Sequence, residues 1–195
     1  MHQTRIIKLW QEADTRYQAF DSHTKEFISR NTLFKDLMAR DGFTKIGVGM
    51  YSSVWSKDGR LYKINSNISG PNDGFYHWMK LCNDHPENPC LPKFGAMYQE
   101  GTRYCVELVQ MEPTGDIQRS KDLVDIAKVN PHMMEAVQLA VQLAETNKQQ
   151  IMTDDLTAKV VRFLDIHDEN VMVRDGHYVL NDPISTITNF PIPVV

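Results

Sequence analysis

The chain has 195 residues, 42% of them hydrophobic and 24% charged, with a formal net charge of -4. That length buries one or two cores without disulfide or metal support. The mildly acidic balance, with no stretch that concentrates Lys and Arg, argues against binding nucleic acid by neutralising phosphates.

Three cysteines, Cys82, Cys90 and Cys105, form no CxxC pair and read as reduced thiols. No segment approaches the ~18 apolar residues of a membrane span, and the N-terminus lacks the apolar stretch of a signal peptide, so a cytoplasmic protein is expected.

Residues 4–40 carry apolar positions at helical spacing: Ile7, Trp10, Ala13, Tyr17 and Phe20, then Phe27, Ile28, Leu33, Phe34, Leu37 and Met38. The break near Asp21-Ser22-His23 predicts two helices packed as a hairpin, an N-terminal extension over residues 1–40. At Asp41-Gly42 the character changes. FTKIGVGMYSSVW, the turn Lys57-Asp58-Gly59 and RLYKIN predict strand, Gly-rich turn, strand, tight turn and strand. GFYHWMKLCN at 74–83 fits a short helix, followed by the loop DHPENPCLP. FGAMYQE and TRYCVELVQM, separated by Glu100-Gly101, predict a second hairpin. MMEAVQLAVQLAET is an apolar helix begun near Pro131, and VVRFLDIHDENVMVRDGHYVLND reads as short strands and loops with a turn at Asp175-Gly176. A strand-rich part over 41–112 and a helical part over 113–195 predict an α+β fold with a cleft between halves.

Three features carry chemistry. Gly47-Val48-Gly49 sits between two strands, where main-chain N–H groups can approach a phosphate without side-chain clashes. It lacks the GK[ST] ending of a Walker loop and opens no helix, so it is not a dinucleotide fingerprint. Lys63 follows on the next strand but one, within reach of α- and β-phosphates. DIHDEN at 165–170 and LNDP at 180–183 then supply what γ-phosphoryl transfer needs: a carboxylate near the acceptor hydroxyl and oxygen ligands for Mg²⁺. Each alone is an ordinary turn, strand or loop residue; their joint order is what points to a phosphotransferase.

Over residues 42–188 this pattern resembles the protein-kinase fold, and most closely the early serine/threonine protein kinase of short-tailed bacteriophages that encode their own RNA polymerase. GFTKIGVGMYSSVWS is similar to that family's Gly-rich loop, and DIHDENVMV and LNDPIS to its catalytic and metal loops. The resemblance implies a minimal bilobal kinase with a truncated C-terminal lobe, using ATP and Mg²⁺ (or Mn²⁺). It implies that Gly47, Val48, Gly49, Met50, Ser52, Ser53, Val54 and Lys63 hold the nucleotide, that Asp165 is the catalytic base, and that Asn170 and Asp182 bind the metal. Met111 and Glu112 look like the hinge, with Val54, Met111 and Val173 sandwiching the adenine. The implied substrates are host proteins in a host cytoplasm, or the chain itself at Tyr51, Ser52, Ser53 or Ser185, through Ser, Thr or Tyr hydroxyls.

The sequence also departs from that pattern. Ser52 stands where the loop has its third glycine, and Leu164 where the arginine of HRD stands. His167, two after Asp165, replaces a lysine and is expected to contact the γ-phosphate, most strongly when protonated. The helix after Lys63 has no Glu, leaving Asp73 as the first choice of partner and Glu87 and Glu107 as weaker ones. Only thirteen residues follow Asp182, too few for a full activation segment, and the catalytic loop is expected to be braced by the 132–148 helix. Two other readings stand beside this one: a small-molecule kinase of the aminoglycoside type, and a catalytically silent module that binds a host protein.

Overall fold

The computed structural model describes residues 2–49, 52–66, 74–100, 103–114, 117, 119–145, 155–167 and 170–184, except the side chain of Arg162. Among them are seven helices and two antiparallel sheets, of five and three strands, which makes the fold mixed α+β. The chain divides into two interleaved units. The first takes its described residues from 1–70 and 95–108, the second from 71–94 and 109–192.

The first unit opens with α1 (His2–Ala19), α2 (Ser22–Phe27) and α3 (Arg30–Arg40). The expected helical hairpin is α1 packed on α3. The short α2 fills the break, started by the Asp21 carboxylate accepting from the Thr24 N–H, as Ser29 starts α3 by accepting from Thr32. Then come β1 (Thr44–Val48), β2 (Ser53–Lys57) and β3 (Arg60–Asn65), and, after the chain has visited the second unit through α4 (Gly74–Asn83), β4 (Phe94–Glu100) and β5 (Arg103–Leu108). The strand order is β1-β2-β3-β5-β4. At Asp58-Gly59 both residues have positive φ, 50° and 74°, as a two-residue hairpin turn requires.

Strand alternation gives this sheet two distinct faces. Trp55, Tyr62, Ile64 and Cys105 share one, where they bury against Ile6, Leu9, Trp10 and Ala13 of α1 and Phe34, Leu37 and Met38 of α3. The α1 positions recur at the spacing of a single helical face. Arg103 clamps α1 to β5: its guanidinium donates to Asp14 at 2.9 Å and lies 5.4 Å from the Trp10 ring. Asp41, at the turn from α3 into β1, accepts from Arg5 at 2.7 Å and from Lys57 at 3.0 Å.

The second unit holds α4, β6 (Glu112–Pro113), α5 (Ser120–Val129), α6 (Pro131–Glu145), α7 (Leu156–Phe163), β7 (Val171–Arg174) and β8 (His177–Leu180). Its core gathers Trp78 and Cys82 of α4 with Met133, Ala136, Val137, Ala140 and Val141 of α6, and with Leu164, Val171, Leu180 and Ile184. Pro131 occupies the first turn of α6, and the Asn130 side chain accepts from the N–H groups of His132 and Met133, both at 3.1 Å.

Two expectations need correcting. Val160–Phe163, read as strand, close the helix α7, because Val160 and Phe163 bury against the core at helical spacing. The helix at 74–83, expected with the strands, sits by its contacts with α6, since Trp78 and Cys82 are members of the second core. The non-helical reading of Asn189–Pro193 falls outside the described residues.

Candidate active site

In the first unit the residues of interest form a transverse row. Gly47 pairs with Val54, Val54 with Lys63, and Lys63 with Val106, across β1, β2, β3 and β5. Partners in register share a face, and the helices occupy the face of Trp55, Tyr62 and Ile64. Val54, Lys63 and Val106 therefore stand on the other one. Lys63 is only 8% exposed, and a cation so enclosed is costly unless anionic groups meet it.

The same alternation removes one of its candidate partners. Glu107 pairs with Tyr62 on the helix-covered face, and its carboxylate meets Arg60 at 3.3 Å. Glu87 is an exposed residue of the 84–92 loop in the second unit. Asp73 lies outside the described residues, as do Met50, Tyr51 and Ser185.

The β1–β2 connection is closed by the Gly49 N–H donating to the Ser52 carbonyl at 2.8 Å. Val48 and Gly49 are exposed. Ser53 is buried, and its hydroxyl accepts the Trp55 indole N–H at 2.8 Å. That commits the Ser53 side chain to the covered face, so only its main chain is available to a phosphate.

In the second unit the Asp175-Gly176 turn folds β8 back on β7 with Val171 opposite Leu180. The register brings Asn170 opposite Asn181, and the Asn181 N–H donates to the Asn170 carbonyl at 2.8 Å. One further bond ties the 165–170 loop to this strand end, and two close the loop on itself. The Asp165 N–H donates to the Pro183 carbonyl at 2.8 Å, and the Asn170 N–H to the His167 carbonyl at 3.0 Å. The Asn170 side-chain amide donates to the Asp165 carbonyl at 2.7 Å. Asp165, Asn170 and the segment around Asp182 are thus brought together. His167 shares the loop, half-buried.

Exposure is graded across these residues: Asp165 is exposed, Asp182 half-buried and Asn170 buried. Leu164 turns into the apolar core as α7 ends, which sends Asp165 outward. The brace expected from α6 comes differently: α6 packs on Leu164, Val171 and Leu180 through the core, while the polar ties come from Asn181 and Pro183. In the three-stranded sheet Glu112 pairs with Val173, placing the 111–112 segment beside β7.

The donor set suits a small hard cation. With its amide N–H committed to Asp165, Asn170 keeps a carbonyl oxygen, and Asp182 adds a carboxylate; Mg²⁺ uses one or two such ligands together with substrate phosphates. Among the described residues no group of three or more His, Cys, Asp or Glu could form a dedicated metal cage. A surface pocket of about 240 Å³ in this unit, lined by Cys82, His85, Asn88, Leu91 and Phe94, contains none of these residues.

Sequence reasoning missed Val106 and Pro183. Val106 was legible from alternation in RYCVEL; Pro183 acts through its carbonyl, for which no side-chain signal exists. No protein-family model matches the chain, and no curated protein sequence matches it. Among the described residues no helix is long and apolar enough to cross a membrane.

Proposed function

We propose that the chain is an ATP- and Mg²⁺-dependent protein kinase with a minimal bilobal kinase fold, related to the phage kinases it resembles and acting on hydroxyls of host proteins or its own. The observation that carries this reading is the hydrogen-bonded junction of the 165–170 loop with the 180–184 segment, which groups an exposed carboxylate with two recessed oxygen donors. The row of Gly47, Val54, Lys63 and Val106 supports it independently.

In this reading Lys63 holds the α- and β-phosphates, and main-chain N–H groups of residues 47–54 cover them. Met111, Glu112 and Val173 serve the adenine with Val54. Mg²⁺, held by Asn170 and Asp182, supplies neutralisation of phosphate charge. The acceptor oxygen attacks the γ-phosphorus, the bond to the β–γ bridging oxygen breaks, ADP departs, and the hydroxyl proton passes to Asp165. His167 contacts the transferred group from the same loop. Orientation and electrostatics provide most of the rate.

The test is labelled ATP with host lysate and Mg²⁺, comparing wild type with Asp165→Ala. Label in proteins, reduced about 10²–10⁴-fold by the substitution, is expected. Label confined to metabolites favours a small-molecule kinase, and no label favours a silent binding module. A nucleotide-bound structure in which Lys63 and Asp182 do not touch the same triphosphate overturns the reading.

A further inference from the structure

We infer that α4 is a strut for the metal loop, with Gly74 and Trp78 as positioning residues for Asp182. The inference rests on the reading of Asp182 as a cation ligand. The segment around Asp182 is pinned from both sides, and α4 supplies a contact at each end. Before it, Leu180 is held at both main-chain groups: its N–H donates to the Cys90 carbonyl at 2.9 Å and its carbonyl accepts the Trp78 indole N–H at 3.2 Å. After it, Ile184 lies directly against the first residue of α4.

The second contact depends on a missing side chain. A Cβ on Gly74 would fall 2.7 Å from Ile184 Cγ2, 2.9 Å from the Ile184 carbonyl carbon and nearer still to its oxygen. Two of those three atoms are main chain, so no rotamer change makes room; either the 182–184 segment or the helix start must retreat. Trp78 follows Gly74 by four residues, hence on the same face of α4. One helical face thus grips the segment before and after Asp182.

The test is electron paramagnetic resonance titration of Mn²⁺ in the presence of ATP, on the full chain. Wild type, Gly74→Ala, Trp78→Phe, Asp182→Asn and the double variants with Asp182→Asn are compared, each checked for folding by thermal melting. Gly74→Ala and Trp78→Phe are expected to weaken Mn²⁺ binding by about 10–100-fold, as supports of metal ligands do. The Mg²⁺ concentration for half-maximal transfer should rise in parallel, and in the Asp182→Asn background the added loss should nearly vanish. If Gly74→Ala does not fold, Trp78→Phe decides.

Unchanged Mn²⁺ affinity in a folded variant, or losses of equal size in both backgrounds, overturns the strut while the kinase reading stands. If Asp182→Asn itself leaves Mn²⁺ binding unchanged, the metal assignment and the strut fall together.

Discussion

The buried side chain of Asn170 donates its amide N–H to the main-chain carbonyl of Asp165 at 2.7 Å. One residue thereby ties the loop that carries the proposed base, and its side-chain oxygen is the one we propose for the cation.

Asn170→Ala is accordingly expected to do two things. It leaves the Asp165 carbonyl without its donor, which should lower stability by about 1–3 kcal/mol in urea denaturation. It also removes a ligand, so the Mg²⁺ requirement for phosphoryl transfer should rise. A variant that loses stability with an unchanged Mg²⁺ profile would reduce Asn170 to a structural residue.

The helices α1 and α3 cover the sheet face opposite Lys63, and Trp10 is the largest fully buried side chain of that contact. Trp10→Ala should cost about 3–5 kcal/mol, and deletion of residues 1–36 should lower the melting temperature more severely. An unchanged melting temperature on deletion would mean the strands hold without their cover.

Asp41 gives a pH dependence. The Arg5 guanidinium, and after it the Lys57 ammonium, hold its carboxyl below the ordinary carboxylate value of 3.8. A carboxyl depressed in the folded state contributes stability above its unfolded value and loses it as pH falls through the folded value. Asp41→Asn should therefore be less stable than wild type at pH 7, with the gap closing only in acid, below about pH 4. Denaturation curves at several pH values check this; a gap that persists at pH 2 would assign the effect to packing.

The three cysteines should be chemically quiet. Burial pushes the Cys105 thiol up to about 12 and raises those of Cys82 and Cys90. Since the thiolate is the reactive form, the native protein should show no rapid reaction with a thiol reagent at pH 8, and all three cysteines should react after denaturation. A fast-reacting native thiol would contradict the burial.

Local signals carried most of the fold. Helical spacing through Ile7, Trp10 and Ala13 marks α1, although the face it buries runs through Ile6 and Leu9 with Ile7 only half-buried, and the Asp58-Gly59 and Asp175-Gly176 pairs mark hairpins, because these features act over a few residues. Long-range partnership was less legible. GFYHWMKLCN is a helix in sequence, yet nothing local says that Trp78 seeks Leu180 rather than the neighbouring strands. VVRF has the β-branched residues of a strand and is helical because Val160 and Phe163 share a core contact. At the site, Asp165, Asn170 and Asp182 stood out by residue type, whereas the Pro183 carbonyl and the bare Cα of Gly74 act through main chain and leave no side-chain trace.

The chain crosses between its two units after residues 70, 94 and 108, so neither unit is a continuous stretch. No single cut yields half of the molecule as a separately expressible fragment. During synthesis on the ribosome, α1, α3 and β1–β3 can gather early, but α4 emerges long before α6 and Leu180, which cover it in the finished protein. Trp78 and Cys82, buried in the finished core, lack that cover until α6 and Leu180 have been made. Until then this ten-residue helix carries exposed apolar surface, the condition in which folding intermediates aggregate.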